Sequence, residues 1–99
     1  MADKLLAITT EYVRSFLALW QSELGWPVSV FKQVNELGLD MFDVLQVLKE
    51  GEVIECEKEI ANGARMVIDG WTCDNVHVIV EVWTELNKPT IRLRNIKVI

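Results

Sequence analysis

"CDNVHVIVEVW", Cys73 to Trp83, decides the reading of this chain. Val76, Val78, Val80 and Val82 fall at every second position, with His77, Ile79, Glu81 and Trp83 between them. Side chains along a strand point alternately to opposite faces, so the valines form a core face and the other set an outer face. This is the longest clean alternation in the sequence, which predicts a central strand.

Three shorter strands surround it. In "EVIECEKE", residues 52–59, Ile54 and Cys56 share one face while Glu55, Glu57 and Glu59 share the other. One wet side and a row of carboxylates suit a sheet edge. Asn62-Gly63 reads as a hairpin turn, because both residues tolerate positive φ. "ARMVIDGW", residues 64–71, then turns Met66 and Ile68 inward and Arg65, Val67, Asp69 and Trp71 outward. "TCDN" makes the next turn and "ELNKP" the last. In "TIRLRNIKVI", residues 90–99, Ile91 and Leu93 face inward and Arg92 and Arg94 outward. Ile96 and Val98 then break parity, and a bulge near Arg94-Asn95 restores it.

The first half has a helical period. Leu5, Leu6, Ile8, Tyr12, Val13, Phe16, Leu17, Trp20 and Leu24 recur at spacings of three and four, predicting a helix over about residues 3–24 that ends at Gly25 before Trp26-Pro27. A second, short helix is expected from a Ser29 cap to Gly38, with Phe31, Val34 and Leu37 inward. A third is expected over "MFDVLQVLKE", capped by Asp40, ended by Gly51, and buried through Met41, Val44, Leu45 and Leu48. The expected architecture is α+β in one domain spanning residues 1–99. Residues 1–50 are helical, and they pack on a four-stranded antiparallel meander over 51–99.

With 99 residues the chain can build one modest core. It holds no run near the roughly 18 apolar residues that span a membrane. Asp3, Glu11, Arg14 and Glu23 interrupt the N-terminal region, which is therefore read as part of the fold of a cytoplasmic protein. Cys56 and Cys73 are too few for a zinc ribbon, and with a single histidine they read as buried free thiols. No metal or other cofactor is expected. A net charge of −5 speaks against a DNA-binding surface, although a local patch could meet RNA.

The segments "FKQVNELGLDMFDVLQVLKEGEVIE" and "ARMVIDGWTCDNVHVIVEV" resemble small bacterial domains related to RelE-type and MqsR-type toxins. The resemblance covers residues from about 30 onward, through an aspartate-capped helix ending in Gly51 and an Arg65-to-Gly70 strand leading into a valine-rich one. It implies a RelE-like two-layer fold and opens the possibility of a metal-independent endoribonuclease held by an antitoxin. It carries over no catalytic residue. The acidic balance and the long first helix depart from the basic pattern of such toxins.

Candidate residues come instead from the outer face. Pairing Glu81 with Arg92, Arg65 with Trp83 and Trp71 with His77 would gather Arg65, His77, Glu81, Trp83, Arg92 and Arg94 on one surface. For RNA cleavage, His77 or Glu81 would move a proton, Arg92 and Arg94 would offset phosphate charge, and a tryptophan would stack on a base. The same groups also serve as cross-strand pairs, each worth about 0.2–1 kcal/mol. Arg65, Trp71 and Trp83 could equally anchor a protein partner or a second copy. The leading expectation is a protein-interaction module. A ribonuclease toxin is the alternative, and an acidic inhibitor of a basic protein is a third.

Overall fold

The computed structural model describes residues 2–20, 23–59, 63–85 and 90–99, with side chains described for all of these except 2–8 and 20. Helices α1 (Ala2–Trp20), α2 (Val28–Glu36) and α3 (Met41–Glu50) precede strands β1 (Glu52–Glu59), β2 (Gly63–Trp71), β3 (His77–Glu85) and β4 (Thr90–Val98). The strands form one antiparallel sheet in the order β1-β2-β3-β4. The α+β arrangement read from the two periodicities is therefore the observed one. No described helix is long and apolar enough to cross a membrane.

The inner sheet face and the helices share one core. Val78, Val80, Val82, Met66, Ile68, Ile91 and Leu93 meet Val13, Phe16 and Leu17 of α1, Val30 and Val34 of α2, and Val44, Val47 and Leu48 of α3. Burying that many branched side chains is the dominant stabilising term, at about 1.5–3 kcal/mol for each fully buried one. Thr84 continues the inner row of β3 and is buried, with its hydroxyl donating to Thr90 O at 2.6 Å and meeting Tyr12 Oη at 3.0 Å. The expected inward positions Leu5, Leu6, Ile8 and Trp20 lie outside the described side chains.

Local chemistry explains the helix ends. Asp40 caps α3 as expected, in a reciprocal box: its carboxylate accepts from Asp43 N–H at 2.9 Å, and Asp43 returns the favour to Asp40 N–H at 2.9 Å. For α2 the expected Ser29 cap is corrected to Pro27, whose fixed φ of −62° sets the entry without a side-chain cap. This start turns Val30 and Val34 inward, leaving Phe31 and Leu37 exposed; Phe31 stacks on Trp26 instead, centroid to centroid 5.5 Å. Met41 likewise lies exposed at the start of α3. Leu24 lies in the core outside any long helix, and Gly25 pairs with β4 instead of ending α1.

Both irregular strands carry bulges. In β4 Arg94 is the extra residue, between the pairs Glu81 with Asn95 and Val82 with Leu93, which returns Ile96 to the core as parity required. In β1 the extra residue is Ile54, between Val53 with Ile68 and Glu55 with Val67. Val53 rather than Ile54 therefore joins Cys56 on the inner side, and Ile54 is exposed. Gly63 is the first residue of β2, opposite Glu59 and Glu85, while Asn62 and most of the last expected turn, 86–89, lie outside the described residues. Thr72 closes the other turn, its hydroxyl accepting from Asp74 and Val76 N–H, with Asn75 at a φ of 62°. Cys56 is half-buried, whereas Cys73 in this turn is exposed, which corrects the expectation of two interior thiols.

The sheet's two edges are treated differently. Gly25 N–H donates to Ile91 O at 2.9 Å and Gly25 O accepts from Leu93 N–H at 3.0 Å, so the segment before α2 straps the β4 edge. Gln33 Oε1 accepts from Ile96 N–H at 2.9 Å, closing the edge further along. At β1, Thr10 Oγ1 accepts from Val53 N–H, and glutamates occupy alternate positions beyond it.

Candidate interaction surface on the outer sheet face

The outer face is built by the odd residues of β2 and β3. Arg65 lies opposite Trp83 and Trp71 opposite His77, as expected. Glu81 does not lie opposite Arg92. The register between β3 and β4 is set by Glu85 opposite Thr90, which places Trp83 against Arg92 and Glu81 against Asn95. A shift of two residues keeps every side chain on its face but changes its neighbour. His77 and Trp83 are thus six residues apart along β3, about 20 Å at the usual rise of a strand.

The His77 end satisfies itself. The imidazole stacks on Trp71 with centroids 4.5 Å apart and planes 10° from parallel, and its Nε2–H donates to Asp69 Oδ1. A carboxylate only accepts, so this contact selects Nε2 as the donor. Trp71 remains 55% exposed.

In the middle, Arg65 is enclosed by carboxylates. Its Nη2 reaches Glu55 at 2.6 Å and Glu57 at 3.4 Å, and its Nη1 reaches Glu81 at 3.3 Å, leaving 22% of the side chain exposed. Burial pulls its basicity down, but the fields of Glu55 and Glu81 outweigh that and hold it above the ordinary arginine value. Val67, between Glu55 and Glu81 in register, is only 8% exposed although it points away from the core. Arg94 of β4 meets Glu59 of β1 at 3.1 Å, so an ion pair joins the two edge strands across the face.

The Trp83 end is arranged for access. A Cβ on Gly63 would stand 2.3 Å from Trp83 Cζ2 and 2.4 Å from Nε1, so the indole lies directly over that glycine and only glycine leaves room for it. Across the register Arg92 is exposed, and a Cβ on Gly25 would come within 3.1 Å of its Cγ, so its stem rests on the strap. Among the described residues its guanidinium has no ion pair, unlike those of Arg65 and Arg94. Two adjoining clefts open here, of about 380 and 450 Å³, both lined by Pro27, Trp83 and Arg92.

The residues considered for catalysis are not brought together. His77 is committed to Asp69, Glu81 to Arg65 and Arg94 to Glu59, while Arg92 stands at the far end. Acid–base catalysis needs its groups within hydrogen-bond reach of the same reacting atoms, and His77 lies about 20 Å along the sheet from the position of Arg92. Among the described residues no three His, Cys, Asp or Glu side chains converge as metal ligands would. Sequence reasoning missed Gly63 and Gly25, the two backbone positions that seat Trp83 and Arg92. Gly63 was hidden by its Asn-Gly turn signature, and nothing local marks Gly25 as a partner of β4. No protein-family model matches the chain, and neither a curated protein nor a solved structure matches it significantly.

Proposed function

We propose that the chain is a protein-interaction module whose docking surface is the Trp83–Arg92 end of the outer sheet face. The observation that carries this reading is the unshared arginine. Arg65, Arg94 and His77 are tied to carboxylates of the same face, whereas Arg92 is exposed without a counter-ion among the described residues, beside a half-buried tryptophan in a cleft. Tryptophan and arginine are the residues that most often dominate binding energy when a partner desolvates them. Compared with the sequence reading, Trp83 keeps its role, Arg92 joins it, and Arg65 and Trp71 become supports of the face. Two free thiols, one exposed, suit a reducing compartment such as the cytoplasm.

The reading is tested by comparative capture from a lysate of the source cells, using immobilised wild-type chain, Trp83→Ala and Trp71→Ala with matched unfolding midpoints. A protein retained by wild type and Trp71→Ala but lost by Trp83→Ala supports the module. Identical sets on all three contradict it. Cleavage of RNA by the wild-type chain that disappears in His77→Ala would instead favour the ribonuclease reading.

A further inference from the structure

The two clefts share three residues and differ in their remaining lining. One extends past Thr90 toward Gly25 and carries two carboxylates, Glu23 and Glu85; the other runs past Ser29 and Leu93 to Arg94. Together they form a groove along β4, bounded by the strap that precedes α2. The β4 edge is already hydrogen-bonded to Gly25 and Gln33, so an occupant lies in the groove through its side chains and does not add a strand. Toward Arg94 the lining carries two arginines and no carboxylate. Arg94 is neutralised by Glu59, which leaves Arg92 as the charge that an occupant of this side must answer.

We infer that the Arg94 side of this groove takes an extended acidic protein segment, with a carboxylate on Arg92 and an apolar or aromatic side chain against Trp83. The inference deepens the module reading and rests on it. A guanidinium fork matches a carboxylate in two parallel hydrogen bonds, and an indole offers a flat surface to an apolar neighbour. A nucleic acid would also offer anions and a stacking ring, but it brings a phosphate at every step. The chain carries −5, and Glu55, Glu57, Glu59 and Glu81 occupy the same face. A single-stranded nucleic acid needs a basic track along its backbone, and beside those glutamates this face provides only Arg92 and, further along β4, Lys97 as cations without an ion pair among the described residues.

The test uses the full chain and fluorescence anisotropy with three labelled probes: a Ser-Pro-rich peptide centred on Glu-Phe-Glu, the same peptide centred on Lys-Phe-Lys, and an oligouridine of similar length. The wild-type chain should bind the Glu probe most tightly. Arg92→Glu should weaken it by about tenfold or more and bring up the Lys probe, because juxtaposed like charges are strongly unfavourable. Lys97→Glu makes the same charge change further along β4, opposite Ile79, and should leave the affinity within about twofold. Preference for oligouridine, or a Glu probe indifferent to Arg92→Glu, overturns the inference. If Trp83→Ala loses its captured protein while Arg92→Glu keeps it, the acidic class falls and the module stands. If Trp83→Ala loses nothing, both fall.

Discussion

The two ends of the outer sheet face use the same kinds of residue to opposite effect. At one end an aromatic ring and a basic ring, Trp71 and His77, stack on each other, and a carboxylate from the same strand as Trp71 holds the imidazole. At the other, Trp83 lies over a glycine and Arg92 rests on another, so that neither spends its polar or cationic group on a neighbour. The difference lies in backbone placement. Where a residue such as Asp69 is within reach, the surface closes on itself; where glycine stands, the side chain is seated but its polar group is left open.

The contrast depends first on the inner face that holds the sheet, and the sharpest way to break it is through neighbours in β4. Leu93 is fully buried whereas Arg92, one residue before it, is exposed. Leu93→Ala should cost about 2–5 kcal/mol in urea unfolding, and Arg92→Ala should stay within about 0.5 kcal/mol. Equal losses would mean that Arg92 is structural and not reserved for binding. Next comes Gly63→Val, which forces the indole of Trp83 off its seat. Overpacking of this kind costs about 1–3 kcal/mol, and the Trp83 indole resonance should move even where the chain stays folded. An unmoved resonance would show that the glycine does not seat the ring.

The closed end should respond less. Trp71→Ala removes one side of a cross-strand pair and should cost about 0.2–1 kcal/mol, with the His77 ring proton signals losing the upfield displacement that stacking imposes. A larger loss would make this end part of the core. The smallest effect concerns the thiols. Burial pushes the Cys56 thiol up, so the folded chain holds that proton more tightly than the unfolded chain does. Its contribution is intact below the ordinary thiol range and fades as pH rises through it, so Cys56→Ser should flatten a slight alkaline loss of stability. Exposed Cys73 should also react first with a thiol reagent at neutral pH. Equal labelling rates would contradict the half-buried placement of Cys56.

The parts of this fold that the sequence disclosed are those governed by local period and parity. Alternation of valines located β3, and the phase slip between Leu93 and Ile96 located the β4 bulge, because an error of one residue would have exposed a core side chain. In β1 both Val53 and Ile54 are apolar, so parity carried no information and the bulge at Ile54 stayed hidden. The register of β3 on β4 escaped for a related reason: a shift of two residues leaves every face unchanged and alters only which side chains are neighbours, so that Glu81 meets Asn95 and Trp83 meets Arg92. The site depended on long-range placement. Trp83 was recognisable as an outer aromatic residue, but Arg92 gained its distinction only once Arg65 and Arg94 were found paired and the Gly25 strap was found beneath its stem.

If binding belongs to the Trp83 end and not to the Trp71 end, the two indoles should respond differently to a ligand. The most direct measurement follows the tryptophan indole N–H resonances, assigned by substitution, as the Glu-Phe-Glu peptide is added to the wild-type chain. The Trp83 signal should shift progressively and saturate while the Trp71 signal stays in place. Saturating movement of Trp71 with Trp83 unchanged would contradict that placement.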